Sequence, residues 1–138
     1  MKNDDMDMKA KLSTLWIVVL INMLFADIFS IMIELVDKNT LHIPGDVKVI
    51  MAIAAIITNI PIFMIYFARV LPYKPNRLAN IIAGILTILY VIGGGDMAPH
   101  YIIIAVIEVI CLLFIIVNSW KWENTDSADI TPTVSQYY

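Results

Sequence analysis

The sequence predicts an all-α integral membrane protein: an antiparallel four-helix bundle with both termini in the cytoplasm. Three observations predict it. Of 138 residues, 60% are hydrophobic and 15% charged, where a soluble domain carries about a quarter charged residues. The apolar residues fall into four runs, each close to the ~20 residues that cross a bilayer. The basic residues are sorted to one side of those runs.

Residues 1–11, "MKNDDMDMKAK", are polar and of mixed charge, and read as a solvated N-terminal arm. Ser13 or Thr14 is placed to cap the first helix. That helix is expected over about 12–36. It is too long for the h-region of a signal peptide, and it contains Asn22 and Asp27, so it reads as a retained span. "DKNTLHIPGD" (37–46) breaks the pattern with Asn39, Pro44 and Gly45. The second helix is expected over about 47–71, with Pro61 inside it as a kink. "LPYKPNR" (71–77) is the next break, and the third helix is expected over about 78–92. "GGGDMAPH" (93–100) ends it. The fourth helix is expected over about 101–120. Residues 123–138 carry few aliphatic side chains and read as a disordered tail. Short connections force neighbouring helices antiparallel. The four-helix domain therefore spans 12–122, a multi-pass protein of the cell membrane.

Orientation comes from the charges. Lys2, Lys9, Lys11, Arg69, Lys74, Arg77 and Lys121 lie on one side, and only Lys38 and Lys48 on the other. The positive-inside rule puts the larger group in the cytoplasm. Trp16, Trp120 and Trp122 then fall at the cytoplasmic interface, where indole rings favour the headgroup level. The net charge of −3 and the lack of a basic patch exclude nucleic acid as a partner. The bilayer is the expected partner.

Ionisable groups inside a span cost about 2.5–3.5 kcal/mol each on insertion scales, so they face a bundle interior or a wet cavity. Asp27, Ser30 and Glu34 share one face of the first helix at spacings of three and four. Asn59, Tyr66 and Arg69 share a face of the second. Asn80, Gly84 and Thr87 form a stripe on the third, with Tyr90 beside it. Tyr101, Glu108 and Cys111 lie near one face of the fourth. Counted from the outer helix ends, Asp27 and Glu108 both sit roughly 10–14 Å deep. Asn59 and Thr87 fall within about a turn of that layer. The expected site is an outward-facing pocket holding Asp27, Glu108, Asn59, Thr87, Tyr66 and Ser30, with Glu34, His100 and Tyr101 at its mouth.

Two carboxylates in a low-dielectric site cannot easily both ionise, and such a pair shares a proton. The pair can bind a cationic or hydroxylated, partly apolar ligand, carry a proton through a transport cycle, or do acid–base chemistry in the manner of an isomerase. The plainer reading is a structural subunit whose polar groups join helices by hydrogen bonds. A transport path through four helices is thin-walled and implies a homo-oligomer. No motif calls for a cofactor or a metal. Cys111 is the only cysteine, and His42, His100 and Glu34 make a weak metal set. The Gly93–Gly95 run lacks the Lys-Ser/Thr that a phosphate loop needs.

The stretches "LWIVVLINMLFADIFS" and "NRLANIIAGILTILYVIGGGDMAPHYIIIAVIEVICLLFIIVNSWKW" also resemble a family of small prokaryotic four-helix membrane proteins. That family carries only a domain-of-unknown-function label and is loosely similar to the DoxX-like group. The resemblance rests on Asn22 with Asp27, Asn76-Arg77 with Asn80, the glycine turn, Pro99-His100-Tyr101 and Glu108. It implies the four-helix topology and no particular activity.

Overall fold

The computed structural model describes residues 2–36, 47–95 and 97–123. The loop 37–46, Asp96 and the tail 124–138 lie outside the described residues, as does His42. The described chain forms four helices: α1 (Lys2–Val36), α2 (Val47–Val70), α3 (Tyr73–Gly93) and α4 (Pro99–Lys121). Each contains a stretch long and apolar enough to cross a membrane.

The helices form a ring. α1 packs on α2 and α4, and α3 packs on α2 and α4, while across the diagonal the Trp16 side chain of α1 reaches Asn80 of α3. Side-chain pairs fix the directions. Ser13 near the start of α1 donates to the Ile65 carbonyl late in α2. Lys11 reaches Asn118 late in α4, and Tyr101 early in α4 reaches Val91 late in α3. All neighbours are therefore antiparallel, and the bundle has a termini end and a far end.

Two element boundaries differ from expectation. α1 begins at Lys2 rather than near residue 12. Asp4 and Asp5 lie in its first turn, where carboxylates favour the positive end of the helix dipole. Asp5 also accepts a 2.9 Å bond from the Trp122 indole N–H, so the arm is helical and docked on α4. α3 begins at Tyr73 rather than 78, because Pro75 falls in its first turn, where no N–H is needed.

Packing is concentrated at the termini end. Leu12, Trp16, Val19, Met64, Ala68, Leu112, Ile115 and Trp122 form the core there. A chain of buried polar groups runs through it. Asn76 donates to the Ala68 carbonyl at 2.7 Å and the Leu71 carbonyl at 3.2 Å, closing the end of α2. Asn80 donates to the Asn76 side chain at 2.6 Å and accepts from Trp16 Nε1 at 2.7 Å. Each of these buried groups has a partner, which is what makes burial tolerable.

The tryptophans divide differently from the expected interfacial belt. Trp16 is fully buried and Trp122 nearly so, because each indole N–H finds a partner inside the bundle. Only Trp120 stays outside, 66% exposed with the Arg77 guanidinium 5.9 Å from its ring centroid.

α3 and α4 approach closely at Gly84. A Cβ there would stand 2.9 Å from Ile116 Cγ1, so the absent side chain permits the contact. The far end is looser. Between Lys48 and Ile60, no described residue of α2 is buried. The inward stripe of α2 is Pro61, Met64 and Ala68, at helical spacing and confined to the termini half. The outward faces of all four helices are apolar, with Leu24, Phe63, Leu89 and Phe114 among the exposed side chains.

Candidate functional site

Towards the far end, α1, α3 and α4 enclose one polar cavity of about 60 Å³. α1 contributes Met23, Ala26 and Asp27. α3 contributes Tyr90 and Val91, the turn after it Gly94, and α4 contributes Tyr101 and Glu108. One α-helical turn separates Met23 from Asp27, and two separate Tyr101 from Glu108, so each pair falls on one face. The volume admits a few water-sized groups.

Glu108 is 2% exposed, and its Oε1 has no hydrogen-bond partner. Its surroundings supply no cation among the described residues that line the cavity. Asn22 adds a matching group: its buried Nδ2 also lacks a partner. The Lys11–Asn118 and Ser30–His100 pairs set the α1–α4 register. Interpolating between them puts Asn22 level with Ile107 and Glu108. An unpartnered donor and an unpartnered acceptor thus lie at one level of the same interface. A buried polar group left so is costly, and a ligand's polar atoms can satisfy it.

Asp27 is exposed. It comes close to four turns after Ser13, so it shares the stripe of α1 that turns to α2. No described residue of α2 between Lys48 and Ile60 is buried. Tyr101 closes one side of the cavity. Its hydroxyl donates to the Val91 carbonyl at 2.8 Å, tying α4 to α3. Gly95 makes room for that ring, because a Cβ there would sit 2.8 Å from Tyr101 Cε1. This is the physical use of the glycine turn: the last glycine gives the ring its berth.

The expected site residues separate into two groups. Asp27, Glu108 and Tyr101 meet around the cavity, with Tyr101 in its wall rather than at a mouth above it. Thr87 is fully buried at α3, but its hydroxyl donates back to the Ala83 carbonyl at 2.8 Å and it does not line the cavity. Asn59 and Tyr66 do not join it either. Asn59 is exposed and donates to the Ala55 carbonyl of its own helix. Tyr66 is 63% exposed beside Phe67. The expected pocket floor on α2 is therefore absent among the described residues. The reason is that α2 is apolar all round, so periodicity groups Asn59 with Tyr66 but does not say which face turns inward.

Ser30 and His100 stand 3.4 Å apart (Oγ to Nε2) at the α1–α4 interface, outside the cavity lining. His100 borders an apolar groove with Phe29, Met32, Ile33 and Val36. The Glu34 side chain lies outside the described ones. No group of three or more metal-ligating side chains occurs among the described residues.

Tyr90 and Asn22 are the residues that sequence reasoning undervalued. Tyr90 lies three residues after Thr87, which is the signal that it shares the inward face. Asn22 carries a weaker signal, an amide alone in a hydrocarbon run.

No curated protein and no solved structure matches the chain. Nothing in the comparisons ties it to the DoxX-like group. A family match does extend over residues 1–129, and the chain belongs to that family, a family of unknown function (DUF6326).

Proposed function

We propose that the protein is a multi-pass protein of the cell membrane that binds or transports a small, partly apolar molecule. A cationic or hydroxyl-bearing head of that molecule sits in the Asp27–Glu108 cavity. The membrane reading is supported by four sufficiently long apolar helices whose large aliphatic and aromatic side chains point outward. In water such a continuous apolar surface would drive aggregation. The sorting of basic residues supports cytoplasmic termini, with the far end and its cavity towards the outside.

The observation that carries the functional reading is Glu108. A carboxylate with an unpartnered oxygen, 2% exposed, borders a cavity that also holds Asp27 and two tyrosines. The plainer structural reading asks Glu108 to hydrogen-bond a neighbouring helix, and its Oε1 makes no such bond. Asp27 and Glu108 supply negative charge or accept hydrogen bonds, and Tyr90 supplies a hydroxyl. A head the size of an ammonium group fits the volume, and the rest of the ligand lies outside it.

The test is thermal unfolding of the purified protein in lipid nanodiscs with methylammonium. A ligand that binds only the folded state raises the melting temperature saturably. The wild type should show that rise, and Glu108→Gln should lose it while still folding. An equal rise in both, or none in the wild type, overturns the reading.

A further inference from the structure

Two apolar grooves flank the far end of the bundle. One, of about 390 Å³, lies between α1 and α4 and shares no lining residue with the polar cavity. The other, of about 370 Å³, runs along α3 and α4 past Ile92, Met97, Ile102, Ala105 and Val106. It shares Val91 and Tyr101 with the polar cavity, and no charged residue lines it. Groove and cavity therefore meet at a common wall. That wall is the Tyr101 ring, held by one hydrogen bond to the Val91 carbonyl and seated against Gly95.

We infer that the ligand is a cationic amphiphile whose hydrocarbon chain lies in the α3–α4 groove, and that Tyr101 is the latch through which its head reaches Glu108. This rests on the proposed reading of the Asp27–Glu108 site and adds the ligand's other half and its route. The chemistry of the two spaces is complementary in that sense. The cavity holds two carboxylates and suits a positive head. The groove is almost wholly apolar, and its volume lies in the range of ordinary ligand sites. A head-only ligand leaves the groove unused, and a neutral hydrocarbon leaves the carboxylates unused.

The latch has a definite structural requirement. The ring lies where it does because residue 95 has no Cβ. Breaking the bond to Val91 frees the ring to turn aside and joins groove to cavity. Access is then sideways, between α3 and α4, from the hydrocarbon layer in which an amphiphile already dissolves.

The experiment compares methylammonium with dodecylammonium, both binding to the full-length protein in nanodiscs, with empty nanodiscs subtracted for partitioning. Dodecylammonium should bind at least tenfold tighter. Val106→Trp fills the α3–α4 groove from an exposed position. It should remove that advantage and leave methylammonium binding intact. Ile33→Trp, which fills the other groove, should leave both intact. Tyr101→Phe removes the latch bond without changing the ring, and should speed dodecylammonium binding several-fold. Equal affinities for the two probes overturn this inference and leave the site reading standing. So does loss of the advantage in Ile33→Trp but not in Val106→Trp. If neither probe binds the wild type, the site reading fails and this inference falls with it.

Discussion

Asp27 and Glu108 border the same cavity from α1 and α4, yet Asp27 is exposed and Glu108 only 2% exposed. The pair is asymmetric. Asp27 stands at the exposed side of the cavity, and Glu108 stands buried with an oxygen unpartnered. In the proposed function the first meets an arriving cation and the second holds it.

That asymmetry separates the two amide variants. Asp27→Asn should weaken methylammonium binding several-fold with little change in stability. Glu108→Gln should weaken it at least tenfold. It should leave the unliganded protein as stable as the wild type or more so, because a buried unpaired charge costs more than a buried amide. Titration calorimetry with parallel melting curves checks both. Equal losses in the two variants would contradict the asymmetry.

Methylammonium binding should fall as the pH falls. Protons and the cation compete for the same carboxylates, and the cation binds the ionised form. Affinity therefore rises with pH until the site is fully ionised, and binding releases protons wherever the site is partly protonated. Calorimetry in buffers of different ionisation enthalpy measures that release. In Glu108→Gln the pH dependence should flatten.

The helix count was legible because four apolar runs of membrane length are separated by Pro- and Gly-bearing breaks. Asp27 and Glu108 were legible by counting depth from helix ends. The inward face of α2 was not, since a helix apolar on every side gives no contrast to read. Asn59 and Tyr66 were misplaced for that reason. In the sequence Trp16 fits an interfacial anchor, because it lies near the end of an apolar run. Its actual partner, Asn80, lies on another helix 64 positions away, and nothing local announces it.

The Trp16–Asn80 bond should matter for folding and not for the cavity. Asn80→Ala leaves the Trp16 indole N–H and the Asn76 Oδ1 without partners in a fully buried region. The expected loss is about 1–3 kcal/mol for each group left unsatisfied. Chemical unfolding monitored by tryptophan fluorescence measures it. Methylammonium affinity should stay within about twofold of wild type, because additivity holds for sites that share no partners.

Gly84→Ala should destabilise the bundle by about 1–3 kcal/mol, the cost of overpacking a close helix contact. Its Cβ would meet Ile116 Cγ1 at 2.9 Å and Cδ1 at 3.2 Å. Ile116→Ala removes both atoms, so the double variant should recover part of the loss. A double-mutant cycle on melting free energies checks the coupling. Additive losses would show that the two positions do not meet.

If the Glu108 carboxyl group itself engages the ligand's head, its vibrations must change on binding. Infrared difference spectroscopy of the protein in nanodiscs, with and without methylammonium, observes that group directly. The expected result is a carboxyl band that changes on adding methylammonium and is missing from the difference spectrum of Glu108→Gln. A wild-type difference spectrum with no carboxyl change, or one that persists unaltered in Glu108→Gln, would contradict that engagement.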